Sequence, residues 1–237
     1  MNFIRNQIPN FITCLNLVCG LAGIVLLSEQ GIRALPQISL LVFLAGVADF
    51  FDGFSARLLR SVSAIGKDLD SLADAITFGV LPGMASYVAL KECQAGDWSW
   101  MALILPVFSV IRLARFNNDP GQSTSFKGVP TPATAFFIVF LLEANFSENG
   151  WLSGIRLDSS MLSAIIAISS ALLLAPFRII ALKFKSYGWK ENLEKYALLA
   201  SIPVFIAFFQ KDSVPLIYFL YLFFSLIYGF RTRRIPV

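Results

Sequence analysis

The chain has 237 residues, 57% of them hydrophobic, with a mean hydropathy of +0.71 and 23 phenylalanines. Only 14% are charged, against roughly 25% in soluble domains, which excludes an ordinary soluble fold and points to several membrane spans. The net charge of +4 comes without a basic run on a soluble segment, which speaks against a nucleic-acid partner, and the absence of histidine removes the usual zinc ligand and neutral-pH general base.

In chain order, the opening MNFIRNQIPN lacks a small-residue cleavage site after a short apolar core, so no cleavable signal is expected. A crossing needs about 20 apolar residues. Eight are predicted: 10–28, 36–59, 69–90, 98–116, 130–146, 160–182, 193–210 and 213–230. Pro106, Pro176 and Pro203 fall within three of them, which membrane helices tolerate better than soluble ones. The turn QKDS between the last two is short enough for a hairpin. Cys14, Cys19 and Cys93 form no CxxC pattern and read as free thiols. The fold class expected is all-α: one polytopic membrane domain over 1–237, with a core of about 5–182 and two additional spans at about 193–230.

Lysine and arginine set the orientation. With the N-terminus inside, only Arg33, Lys91, Arg156 and Lys211 of the 19 basic residues lie outside. Both termini are therefore expected in the cytoplasm. The late cluster Lys183, Lys185, Lys190 and Lys195, and the terminal Arg231, Arg233 and Arg234, read as contacts to anionic lipid at the inner surface.

The stretch DFFDGFSARLLRSVSAIGKDLDSLAD, residues 49–74, carries five acids across the cytoplasmic ends of spans two and three. Acids in apolar segments are costly and mark function. At roughly 100° per residue, Asp49, Asp52, Gly53, Ala56 and Arg57 share one side of a helix. Gly66, Asp70, Asp74 and Thr77 share a side of the next, with Asp68 opposite. Four acids can thus converge, while Asp68 reads as a helix-start residue or a surface partner of Lys67. Without counter-charge, converging carboxylates repel. Either some are protonated or divalent cations lie between them, and all-oxygen ligands select Mg²⁺, Mn²⁺ or Ca²⁺. Four carboxylates suffice for two shared ions, which suits displacement at phosphorus. Small residues beside them leave room for a ligand, and Arg57 suits a phosphate. The plainer alternative is an acid cluster that only pairs with Arg57, Arg60 and Lys67.

The spacing D-x2-D-G-x2-A-R-x8-G-x3-D-x3-D resembles the signature of the CDP-alcohol phosphatidyltransferase family at all eight positions. The resemblance implies a helical membrane enzyme, usually a homodimer, that moves a phosphatidyl group from a CDP-linked lipid to an alcohol and releases CMP. It implies that Asp49, Asp52, Asp70 and Asp74 bind two divalent cations (Mg²⁺ or Mn²⁺), and that Asp74 deprotonates the acceptor. Gly53, Ala56, Arg57 and Gly66 would border the nucleotide.

The flanking text LDSLADAITFGVLP (69–82), RLARFN (112–117), FKGVPTPAT (126–134) and IPNFITCLNLVCG (8–20) is similar to the branch whose acceptor is L-serine. Ser71 and Ala75 stand where the glycerol-phosphate branch typically has Pro and Lys. The substrates implied are CDP-diacylglycerol and L-serine, at a multi-pass site in the cell membrane that faces the cytoplasm. Arg112, Arg115 and Lys127 are candidates for serine carboxylate or lipid phosphate, and Arg112 and Arg115 share a face; positive-inside anchoring is the plainer role. Thr77, Thr131 and Thr134 are candidates for the same pocket, beside a turn shaped by Gly128, Pro130 and Pro132. Alternatives are another acceptor (glycerol 3-phosphate, inositol phosphate), an archaeal CDP-ether lipid or, from another class, a cation-coupled transporter. Transporter sites tend to lie near the midplane in repeated halves, and no second copy of the acid pair is seen.

Overall fold

The computed structural model of the chain describes residues 2–59, 61, 63–118, 126–148, 156–176, 178–180, 188 and 192–233. Almost all of them are helical. Helix α1 (Asn2–Gln30) turns through a 3-10 segment (Gly31–Ala34) into α2 (Leu35–Leu58). Helix α3 (Ala64–Asp74) runs through a π-helical turn (Ala75–Val80) into α4 (Leu81–Glu92). A 3-10 segment (Gly96–Leu103) leads into α5 (Ile104–Asn118), followed by α6 (Thr131–Phe146) and α7 (Ser159–Leu173). Helix α8 (Leu193–Phe209) and α9 (Ser213–Arg233) are joined by a 3-10 turn (Gln210–Asp212).

Four continuous helical stretches, Gln7–Leu58, Ala64–Glu92, Gly96–Asn118 and Leu193–Gly229, are long and apolar enough to cross a membrane, and the shorter Thr131–Phe146 and Ser159–Leu173 are apolar too. Their outer surfaces are as greasy as their core: Phe11, Phe43, Phe50, Phe54, Phe208 and Phe223 are exposed. The buried core gathers Ile38, Val42, Phe78, Leu81, Leu105, Ile138, Leu142, Leu162 and Ile166. Lipid tails provide no hydrophobic drive between helices, so close backbone approach matters. A β-carbon at Gly20 would lie 2.3 Å from Thr77 Oγ1, and one at Gly83 would lie 2.5 Å from Pro106 Cδ. These glycines hold α1 against the π turn and α4 against α5.

Local chemistry sets the ends. The Ser63 side chain accepts from Gly66 N (3.0 Å) and starts α3, and Asp158 does the same for α7 through Met161 N (2.8 Å). The π turn lies just before Pro82. That residue has no N–H to return to Phe78 O, and its ring crowds that carbonyl; a locally widened turn accommodates both.

The sixth predicted span, 160–182, is shorter than expected. Helix α7 ends at Leu173, because Pro176 cannot continue the hydrogen-bond ladder and pushes the residue before it towards extended backbone. The chain then forms strand β2 (Arg178–Ile179), antiparallel to β1 (Phe126–Lys127), with Phe126 opposite Ile179 and Lys127 opposite Arg178. These two short strands are the described exception to the all-helical expectation. Between β1 and α6, Gly128 has φ +76°, and a β-carbon there would lie 2.1 Å from Leu173 O. Only glycine fits that corner. Val129 N then donates to Leu172 O (3.0 Å) and fixes the entry to α6.

Candidate active site

Asp49 from α2 and Asp70 and Asp74 from α3 each bring a carboxylate oxygen within 4.8 Å of the others, a grouping that could hold a metal ion. Asp49 and Asp70 are half-buried and Asp74 is buried. The fourth acid, Asp52, is also buried and within electrostatic reach of Asp49, Asp70 and Asp74. It lies outside the tight group of three, with Oδ2 accepting from Thr13 Oγ1 (2.6 Å). Asp68 is exposed and has no part in the group.

The described basic neighbours in this stretch, Arg57 and Lys67, make no ion pair with these acids. Arg57 is exposed and its Nε donates to Gly53 O in its own helix (2.9 Å). Lys67 Nζ donates across to Asn117 O on α5 (2.8 Å), and not to Asp68. Arg60 lies outside the described residues. Among the described residues no ion pair reaches any of the four acids. Asp70 Oδ1 is buried and has no hydrogen-bond partner among the described residues. A buried carboxylate oxygen without a donor is expensive. Clustered, unpaired, hard oxygen ligands are what a divalent cation completes, so the residues present fit such an ion.

Next to the acids is a cleft of about 180 Å³. Gly53, Ala56 and Gly66 line it together with Asp52, Asp70 and Lys67. Gly53 faces open space, its nearest neighbour for an added β-carbon being Arg57 Nη2 at 4.0 Å. At Gly66 a β-carbon would meet Ser63 Oγ at 3.0 Å and Asn10 Oδ1 at 3.1 Å, so a side chain there would crowd the wall. Arg57 is not part of the lining, and its terminal nitrogens make no hydrogen bond among the described residues.

Helix α1 supplies what the sequence reading missed. Pro9, Asn10 and Thr13 complete the cleft wall. Besides the Thr13 bond to Asp52, Asn16 Nδ2 donates to Asp74 Oδ1 (3.2 Å). Thr77 Oγ1 in the π turn donates to Asn16 O (3.1 Å), which places Thr77 behind Asp74 against α1. The spacing Pro9, Asn10, Thr13, Asn16, Gly20 was a visible signal: small and polar residues at helical intervals on one face of a greasy helix.

Beyond Asp74 is a second polar region. Arg112 on α5 is buried, with Nη1 donating to Thr131 Oγ1 (3.3 Å) and the guanidinium 5.4 Å from the Phe116 ring. It interacts electrostatically with Asp74. Arg115 is exposed one turn further on, and Lys127 is placed through its backbone in β1. Ser71 joins α3 to α5 by accepting from Asn117 Nδ2 (2.6 Å). Of the late basic cluster, Lys183, Lys185 and Lys190 lie outside the described residues, as does Arg234, while Lys195 is buried in the first turn of α8.

A family model described as CDP-alcohol phosphatidyltransferase matches residues 6–176. The chain is similar to proteins named CDP-diacylglycerol–serine O-phosphatidyltransferase in several organisms. The one from Bacillus subtilis (strain 168) is 36% identical over 136 residues, covering 57% of this chain and 75% of the relative. That of Mycobacterium tuberculosis (strain ATCC 25618 / H37Rv) is 35% identical over 156 residues, 62% of this chain and 53% of the relative. That of Helicobacter pylori (strain ATCC 700392 / 26695) is 30% identical over 209 residues, 87% of this chain and 84% of the relative.

Proposed function

The chain belongs to the CDP-alcohol phosphatidyltransferase family, and on that premise we propose that it transfers a phosphatidyl group from CDP-diacylglycerol to L-serine, giving phosphatidylserine and CMP. The observation that carries this reading is the unpaired carboxylate group of Asp49, Asp70 and Asp74, set beside a cleft lined by Gly53, Ala56 and Gly66. The names of the relatives supply the acceptor.

Asp49, Asp70 and Asp74, with Asp52 beside them, would hold two divalent cations, Mg²⁺ or Mn²⁺. When bound, such ions neutralise the diphosphate and stabilise CMP as it leaves. The cleft takes the cytidine diphosphate, and the free end of Arg57 is available to its phosphates. Asp74 accepts the proton of the serine hydroxyl. The serine oxygen bonds to the phosphorus that carries diacylglycerol, the bond from that phosphorus to the CMP oxygen breaks, and CMP departs. In a chain without histidine, a carboxylate is the natural base. Asn16 keeps Asp74 oriented, and Thr13 does so for Asp52. Arg112, with Thr131 behind it, meets the serine carboxylate.

The protein is read as a homodimer of eight-crossing chains in the cell membrane, with both termini and the acids on the cytoplasmic side. The distribution of its 19 basic residues supports that side. The lipid tails then stay in the bilayer while the head group reacts at its edge. The test is purified protein with CDP-diacylglycerol, Mn²⁺ or Mg²⁺, and in turn L-serine, glycerol 3-phosphate and inositol phosphate. CMP release is expected with serine alone; turnover with glycerol 3-phosphate and none with serine would overturn the choice of acceptor.

A further inference from the structure

Resting on the serine reading above, we propose that the last helix, α9, forms part of the acceptor site, with Tyr218 and Tyr221 completing a pocket for the amino acid's charged groups around Arg112. The family match ends at residue 176, so the motif does not carry this part of the site.

The space between α5, α6 and α9 holds unsatisfied polarity. Arg112 is a buried guanidinium with one protein hydrogen bond, to Thr131, and no ion pair among the described residues. Its other N–H groups call for an anion. It interacts electrostatically with Asp74, the proposed base, and with Tyr221 of α9. One turn away on α9, Tyr218 is 5% exposed, and its hydroxyl completes no hydrogen bond among the described residues. Thr134 on α6, 1% exposed, lies close enough for its hydroxyl to act on that of Tyr218, but neither completes a hydrogen bond of ordinary geometry among the described residues. Two buried hydroxyls so close, neither completing a hydrogen bond of ordinary geometry, are costly to leave so. A zwitterion resolves all three groups: its carboxylate takes Arg112, and its ammonium takes lone pairs on the hydroxyl oxygens.

The tyrosines are held rigidly. The Tyr218 ring stacks on Phe137 of α6 at 4.3 Å between centroids and 12° between planes. The Tyr221 hydroxyl donates to Ile180 O (3.2 Å), and Ile180 N donates to Ser225 Oγ (3.3 Å). Helix α9 therefore also holds Ile180, next to β2. Strand β2 pairs with β1, and β1 leads through Gly128 to Thr131. At the opposite end of the hairpin, Lys211 forms an ion pair with buried Glu143 of α6. The hairpin is thus fastened to the core at both levels.

The test is serine titration of the full-length protein in CDP-diacylglycerol vesicles with Mn²⁺, comparing wild type with Tyr218→Phe, Tyr221→Phe and Thr134→Val. Tyr218→Phe and Thr134→Val are expected to raise the serine KM about 10-fold or more, with the KM for CDP-diacylglycerol moving less than about twofold. For ethanolamine, which lacks the carboxylate but keeps the ammonium, the Tyr218→Phe penalty should persist and wild-type turnover should fall. Tyr221→Phe should raise the serine KM less, because its hydroxyl hydrogen is engaged by Ile180. Unchanged serine KM in all three variants, with thermal unfolding at the wild-type temperature, would overturn the role of α9 and leave the serine reading intact. A rise in the KM for the CDP-lipid instead would assign these hydroxyls to lipid phosphate and overturn the proposal equally. Absence of serine transfer by the wild type would remove both readings.

Discussion

The two halves of the site have opposite charge problems. Between α2 and α3, Asp49, Asp70 and Asp74 gather with no cation bonded to them among the described residues, where one oxygen of Asp70 also has no partner. Between α5, α6 and α9, buried Arg112 has one hydrogen bond, to a hydroxyl, and no anion bonded to it among the described residues. A chain built only for stability would have brought Arg112 and an aspartate into contact. Holding them apart keeps an anionic and a cationic pole within electrostatic reach, each complete only when something else binds. Metal ions suit the first pole, and an amino acid's carboxylate suits the second. Asp74 belongs to the first pole and interacts electrostatically with Arg112 in the second, the position that the proposed base requires.

The strongest way to break this comparison is to remove the anionic pole. Asp74→Asn should lower turnover by about 10³-fold or more while cytidine nucleotide binding stays measurable, since a general base alone is worth roughly 10²–10⁴. EDTA should abolish CMP release, and Mn²⁺ or Mg²⁺ should restore it. Full activity after chelation would remove the metal from the account. Neutralising the cationic pole comes next. Arg112→Leu should raise the serine KM by about 10- to 100-fold, in line with a charge-assisted bond of roughly 1.5–3 kcal/mol, and Arg112→Lys should recover only part of it. If Arg112→Leu instead weakened CDP-diacylglycerol alone, the two poles would belong to one substrate.

Smaller effects sharpen the comparison by testing who holds the acids in place. Thr13→Val and Asn16→Leu remove the two bonds from α1 to Asp52 and Asp74. Each should weaken Mn²⁺ binding by about 10-fold, the low end for groups that orient a metal ligand, with Thr13→Ser close to wild type. Titration of Mn²⁺ by electron paramagnetic resonance reads this without turnover, and unchanged affinity in both variants would reduce α1 to packing. The smallest effect belongs to Asp68→Asn. It lies on the far face of α3, exposed, and should stay within about twofold of wild type in CMP release. An inactive Asp68→Asn enzyme would sink the helix-face argument.

The acid pole was legible because its logic is local. Asp49, Asp52, Gly53 and Ala56 recur at helical intervals, as do Gly66, Asp70 and Asp74, and one short connection brings the two helices together. The same periodicity set Asp68 aside. Thr13 and Asn16 were harder to see, because their partners are 39 and 58 residues away in sequence. Tyr218 and Tyr221 were harder still: within YFLYLFF (218–224) on α9, nothing in the sequence separates a tyrosine that meets lipid from one that interacts with Arg112. The end of α7 was misjudged because apolar content continues past Leu173, while Pro176 and pairing with β1 stop the helix.

By itself, then, the sequence determined a helical membrane chain, the family, and the face on which its acids gather, since hydropathy, charge bias and the 3.6-residue period act within a single segment. Only the tertiary structure decided which helices close around those acids. It brought α1 to Asp52 and Asp74 and opened a π turn beside Asp74. It also kept Arg112 out of bonding contact with the carboxylates and set α9 beside it. These arrangements depend on side chains from distant segments meeting in the packed core, where each buried polar group must find a partner or await one.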